Sequence, residues 1–253
     1  ITIESVGYGG AGVGRLADGR VCFVHGTLPG ERALVRIVKE KKNHTSGEAV
    51  RILEASPHRV APKCPVYGEC GGCALQHATY DLQLEIKTSQ VRELLRRFAK
   101  LPEAPVDQIL PSPAQWAYRN RISIHLDRQR VGFFHRKSRE LVDVEHCPLA
   151  SEEVNALLAE LHKNPPHGET RLTLREAGAP RGFSQVNTAA AELLAATVIE
   201  MCGTGELLVD AYCGSGFFAK RRSKASGRPL LSTGIGVLPV VSTPMPMTSS
   251  AFT

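Results

Sequence analysis

Four cysteines constrain this chain more than any other feature. Cys64, Cys70 and Cys73 stand in CPVYGECGGC, and Cys147 follows in EHCPLA, 74 residues beyond Cys73. Three soft ligands lie within ten residues and the fourth comes from a distant segment. That spacing suits a [4Fe–4S] cluster, which needs four thiolates converging from a loop and one remote strand end. Gly68, Gly71 and Gly72 let the backbone fold tightly around an inorganic core. A Cys₄ zinc site is the alternative, but such sites more often pair two short C-x₂₋₄-C knuckles. Here one knuckle is C-x₅-C and Cys147 stands alone. Disulfides are the third possibility. Seven cysteines is an odd number and no apolar signal segment precedes them, so a reducing cytoplasm is expected.

At 253 residues the chain should hold about two domains of ordinary size. Its 42% hydrophobic and 22% charged residues are those of a globular protein, and no run approaches the ~20 apolar residues of a membrane helix. A net charge of +6 points toward a polyanionic partner, with the clustering of cations mattering more than the total. A monomer is expected. The start at Ile1, without an initiator Met, is expected of a fragment.

Residues 1 to about 60 read as short alternating strands (ITIESV, VCFVHG, ALVRIVKE, GEAVRILE) separated by glycine turns, the pattern of a compact OB-type barrel. GYGGAGVG could pass for a phosphate loop, but neither a following helix nor a GK[ST] ending is present, so a hairpin turn is expected. With GxGxxRxxDGRVxFVxGxLPGE between Gly9 and Glu31, the module resembles a TRAM domain, the small RNA-binding barrel attached to several RNA-modifying enzymes. Arg36, Lys39, Lys41, Lys42, His44, Arg51, His58 and Arg59 fall close together behind it. Cations beside a barrel face grip phosphates without reading sequence, whereas a solvated charged face is the plainer alternative.

Beyond the cysteine loop, HATYDLQLEIKTSQVRELLRRFAKL reads as one amphipathic helix with Leu82, Ile86, Val91, Leu94, Leu95 and Phe98 as its apolar stripe. It is expected to pack the loop onto the next domain, and the stretch from Pro102 to Pro113 to act as a linker. RISIHL, QRVGFFH and RELVDVEH look like antiparallel strands. Arg119, Arg121, Arg128, Arg130, Arg136, Lys137 and Arg139 are interleaved there with Trp116, Tyr118, Phe133 and Phe134, a composition suited to looped or single-stranded RNA. Ser151 opens a helix through His162, with Glu152 and Glu153 in its first turn.

RLTLRE is a further strand, FSQVNTAAAELLAATVIEMC a loop and alanine-rich helix, and GELLVDAYCGSGFFAK a strand, glycine loop and helix start. The last of these opens a nucleotide-binding α/β domain. Taken in order, the TRAM-like module, C-x₅-C-G-G-C, W-x-Y-R-N-R, Cys147, FSQVN and DAYCGSG resemble the RNA (uracil-5-)-methyltransferases, which methylate C5 of uridine in ribosomal or transfer RNA with S-adenosylmethionine. The resemblance covers about residues 1 to 219. It implies that Gln185 and Tyr212 contact the methyl donor beside Gly214 and Gly216; Phe217 occupies a position that is commonly polar in the family. Radical methylthiotransferases also carry TRAM modules, but with C-x₃-C-x₂-C and the barrel at the other end.

The family's chemistry adds a cysteine thiolate to C6, which makes C5 enolate-like, and removes the C5 proton with a glutamate base. The expected S-C-N-P and D-P-P-R strings are absent from these 253 residues, and Cys213 lies in the donor loop rather than in the place of a nucleophile. From Lys220 the chain has no Asp or Glu and holds four prolines, as an out-of-frame or disordered tail would. The organisation expected is therefore a multidomain α+β chain: a TRAM/OB-like β-barrel over 1–60, a central cluster-bearing α/β domain over 61–168, the start of a Rossmann-like methyltransferase domain over 169–219, and an aberrant tail over 220–253. Lys39, Lys41, Lys42, Arg51, Arg119, Arg121 and Arg136 are the candidate RNA contacts. A non-catalytic RNA-binding iron–sulfur module is the competing reading, and no methyl transfer is expected of these residues alone.

Overall fold

The computed structural model describes residues 1–107, 109–127, 130–166, 168, 170–180, 184–202, 210 and 216–226. The N-terminal module consists of β1 (Ile3–Val6), β2 (Ala11–Arg15), β3 (Val21–His25), β4 (Arg32–Glu40) and β5 (His44–Glu54). They form one sheet in the order β1-β2-β3-β5-β4, in which β3 and β5 run parallel and the other neighbours antiparallel. The two edge strands meet at one end, where Thr2 bridges Arg32 and the Ile3 and Ala33 N–H groups donate to Glu31 and Ile1 carbonyls at 2.8 and 2.9 Å. Alternation turns Ile3, Cys22 and Val24 inward, packed by Val35, Ile37 and Ala49. Gly7–Gly10 of GYGGAGVG form the β1–β2 turn and the rest of the string begins β2, as its lack of phosphate-loop features implied. Gly10 sits there at φ +85°, and a Cβ would lie 2.5 Å from the Cβ of Ala74, so the turn approaches the cysteine segment at a distance only glycine permits.

Helix α1 (Tyr80–Phe98) differs from expectation in its partner. Leu82 and Ile86, four residues apart on one face, pack against Val6, Leu28 and Ala78, so the helix docks on the N-terminal module rather than joining the loop to the next domain. Gln90 Nε2 fixes the contact by donating to the Val6 and Gly7 carbonyls. Only this first half of the apolar stripe is buried; Val91, Leu94 and Phe98 are exposed.

The central sheet contains β6 (Arg121–Asp127), β7 (Arg130–Phe134) and β8 (Leu141–Asp143), covered by α2 (Glu152–Lys163), and it also takes in β9 (Arg171–Arg175). Its order is β8-β7-β6-β9, antiparallel throughout. Ser151 caps α2 by accepting from the Val154 N–H, and Val154 and Leu158 meet Ile122, Ile124, Leu126 and Val131 in the core. The boundary expected at 168/169 is corrected by β9, which pairs along β6 from Arg121↔Arg175 to His125↔Arg171 and sets Leu172 and Leu174 against the same core. Residues 171–175 thus belong to the central sheet. Helices α3 (Thr188–Met201) and α4 (Phe217–Ser226) follow, and α4 runs past Lys220, where the tail was expected to start. Residues 227–253 lie outside the described residues, as do Tyr212, Cys213 and Gly214.

Glu31 is fully buried where the module meets the cysteine segment. Burial alone raises its carboxyl pKa, but the Arg59 guanidinium at 2.6 Å and the N–H groups of Leu28 and Ser56 outweigh it and leave the group below the usual carboxylate range. Glu31→Gln leaves Arg59 facing a neutral amide and should destabilise the chain by about 3 kcal/mol, the low end for a broken buried pair because Arg59 still touches water. A depressed folded-state pKa means the contribution is present above about pH 4.3 and is lost as pH falls through the folded value. Urea midpoints of wild type and variant should therefore differ at pH 7 and converge at acid pH.

Candidate functional site

Residues 61–79 contain no helix or strand, so their shape depends on polar contacts. The loop is zipped to the end of β7: Cys70 bridges His135, the Gly71 N–H donates to Phe134 O at 3.0 Å, and the Arg136 N–H donates to Glu69 O at 2.8 Å. A Cβ on Gly71 would lie 3.1 Å from the Phe134 oxygen, which accounts for glycine there. The Tyr67 hydroxyl donates to Ala74 O at 2.8 Å, leaving its oxygen to accept from His77 Nδ1 at 2.6 Å. Burial raises the Tyr67 pKa and lowers that of His77, which keeps both neutral. Cys147 is held from the other side by Asn155, which accepts from the Cys147 N–H at 2.9 Å and donates to the Cys147 and Ala150 carbonyls at 3.1 Å.

These contacts bring all four predicted cysteines to the wall of one cavity of about 330 Å³. Burial pushes the Cys64, Cys70 and Cys73 thiols up, and the nearby sulfurs add to the rise. Among the described residues no three His, Cys, Asp or Glu side chains are gathered closely enough to hold one metal ion. Arg119 and Gln76 line the same cavity; the Gln76 side chain lies against Cys73 and opposes the rise of its thiol pKa, and the buried Arg119 Nε has no hydrogen-bond partner among the described residues. An unpaired guanidinium N–H beside four cysteines suits the negative charge that the sulfurs carry once deprotonated. The four cysteines thus share one cavity wall.

The predicted RNA contacts divide. Lys39, Lys41, Lys42 and Arg51 are exposed along the β4–β5 hairpin. Arg119, Arg121 and Arg136 are half-buried, and each also has neighbours within the protein. Arg136 donates to the Cys73 carbonyl and Arg121 to the side chain and carbonyl of Ser184, while Arg119 borders the cysteine cavity. Arg59, from the same basic stretch, is consumed by Glu31. Sequence gives the charge of a side chain and not whether water or a carbonyl receives it.

The predicted donor-site residues are placed in part. Gln185 is exposed at the start of the FSQVN turn, whose shape is fixed by Asn120: its Nδ2 donates to Gln185 O at 3.0 Å and its N–H to Val186 O at 2.9 Å. Asn187 caps α3 through the Ala190 N–H. Gly216 has φ +75°, and the Phe217 ring lies under the Arg221 guanidinium at 4.0 Å. Asn120 and Asn155 carry no chemical signature that singles them out in the sequence, though Asn120 is part of W-x-Y-R-N-R.

Residues 1–50 match the model of the TRAM domain. Over 163 residues the chain is 39% identical to an uncharacterized RNA methyltransferase of Aquifex aeolicus, covering 64% of this chain and 38% of that protein. Over 237 residues it is 36% identical to an uncharacterized RNA methyltransferase of Bdellovibrio bacteriovorus, covering 86% of this chain and 60% of that protein. The chain is a TRAM-bearing relative of RNA methyltransferases. It spans less than two thirds of the length of these relatives. Its fold is that of the crystal structure of Pyrococcus abyssi tRNA (uracil-54, C5)-methyltransferase in complex with S-adenosyl-L-homocysteine, with a TM-score of 0.62 at 21% identity, over 88% of this chain and 70% of that one.

Asn155→Ala should unpair the Cys147 N–H and two carbonyls at a cost of about 2–3 kcal/mol. The Cys147 thiol should then react faster with a soluble thiol reagent, followed by mass spectrometry. Unchanged stability and labelling would show that Asn155 does not hold Cys147.

Proposed function

We propose that this chain supplies the RNA-binding and cysteine-bearing part of an S-adenosylmethionine-dependent RNA uridine-C5 methyltransferase. The observation that carries the reading is the joint placement of its motifs: W-x-Y-R-N-R runs from the cysteine cavity at Arg119 to the FSQVN turn at Asn120 and Arg121. The named relatives and the TRAM domain support methyl transfer to RNA as its setting. Gln185 and the Gly216–Phe217 helix start are the described residues assigned to the donor, with Tyr212 and Gly214 completing the loop. Lys39, Lys41, Lys42 and Arg51 hold phosphates. The C6 nucleophile and the C5 base are assigned to segments other than these 253 residues.

Cys64, Cys70, Cys73 and Cys147 would hold a [4Fe–4S] cluster, with Arg119 and Gln76 donating toward it. The group supplies a structural core when bound, and the thiols must give up their protons to receive it. The six described cysteines are free thiols. Among the described residues no helix is long and apolar enough to cross a membrane.

Deleting the gene should remove one 5-methyluridine from ribosomal or transfer RNA, seen by mass spectrometry of digested RNA; an unchanged inventory would overturn the reading. Anaerobic purification should give brown protein with about four irons and four sulfides per chain, lost in Cys70→Ser. Colourless protein with one zinc per chain would replace the cluster by zinc. Purified alone, the chain should transfer no label from S-adenosylmethionine to uridine-containing RNA.

A further inference from the structure

The N-terminal sheet and the β7–β8 turn face each other across a groove of about 420 Å³, whose lining includes His25, Ser46, Glu48, Tyr67, Arg136 and Lys137. Glu48 is the one carboxylate among the lining residues, and it is shared. Its Oε2 accepts from Arg36 Nη2 at 2.8 Å and its Oε1 from Lys137 Nζ. Arg36 comes from β4 and Lys137 from the β7–β8 turn, so one anion holds together cations from two folding units. Both cationic side chains are more than half exposed, at 69% and 54%. A third cation, Arg136, approaches His25 Nδ1 at 3.4 Å on the same wall.

We propose that this groove is a phosphate-binding site for RNA and that Glu48 occupies it in the free protein. A carboxylate and an RNA backbone phosphate each carry one negative charge and present two oxygens to Arg and Lys in the same manner. Exposed ion pairs contribute little stability, so exchanging Glu48 for a phosphate costs little. With Glu48 in place the cluster carries two positive charges and one negative, so it presents net positive charge to an approaching backbone phosphate. Arg36 lies on the hairpin that also carries Lys39, Lys41, Lys42 and Arg51, so a strand gripped there reaches the central domain through this groove. The inference rests on the RNA reading and adds to it a defined subsite and a resident competitor.

The test uses the 253-residue chain and a fluorescent uridine-containing RNA hairpin, with anisotropy measured over a series of KCl concentrations. Glu48→Gln should tighten binding about three- to tenfold and steepen the dependence of log affinity on log salt by about 0.7 per cation released. Lys137→Ala should weaken binding and flatten that slope, while Lys137→Arg should retain wild-type affinity. Weaker or unchanged binding by Glu48→Gln, with thermal melting intact, overturns the proposal. If Lys41→Ala and Lys42→Ala still weaken binding in that case, the RNA reading survives without the groove. Affinity insensitive to every one of these changes defeats both.

Discussion

Three cysteines on a loop without helix or strand share a cavity with a fourth from another segment, and backbone and side-chain hydrogen bonds place the loop while Cys147 also packs on the apolar core. The loop borrows its order from the end of β7, where backbone groups of residues 69–71 pair with those of 134–136. Asn155 fixes the fourth cysteine from a buried turn of α2, and Arg136 ties the carbonyl of Cys73 to the same strand end. Burial works against the thiolates, since in a partly dry setting near other sulfurs the neutral thiol is favoured. A cationic core reverses that balance, which is the physical reason to expect the loop and its guest to order together.

The rest of the molecule is fastened to this loop. Gly10 brings the β1–β2 turn against Ala74, Glu31 holds Arg59 just ahead of Cys64, and α1 leaves the loop to pack on Val6 and Leu28. Each contact is local and small, yet together they fix the N-terminal module against the segment that carries the ligands. The Arg36–Glu48–Lys137 cluster adds a second connection, from the module to the central sheet, made only of exposed charges.

Much of this fold is legible in the sequence because period-two alternation survives in RISIHL, VGFF and RLTLRE, and because Ser151 precedes a helix with acids in its first turn. The four cysteines are legible for a different reason: few other arrangements use three soft ligands in ten residues. What alternation cannot tell is the partner. Leu82 and Ile86 announce a buried face without saying that Val6 covers it, and RLTLRE announces a strand without saying that β6 receives it. Charge is ambiguous in the same way. Lys41 and Arg121 look alike in sequence, but Lys41 stands at a hairpin end in water and Arg121 is bound to Ser184.

Residues 119–121 explain why two sequence motifs far apart occur together. Arg119 lines the cysteine cavity, Asn120 places the backbone of Gln185 and Val186, and Arg121 holds Ser184. The Arg119 backbone is in turn fixed by residues beside Cys147, donating to Leu149 O at 2.8 Å and accepting from the Ser151 N–H at 3.0 Å. A displacement of the Cys147 turn therefore moves the strand that positions the FSQVN turn, through hydrogen bonds that leave no slack. This continuity links the Cys147 turn to the FSQVN turn. It runs beside the core of Ile122, Ala150, Val154 and Leu158, against which Cys147 also packs, so apolar burial and hydrogen bonds support the Gln185 turn from the same side.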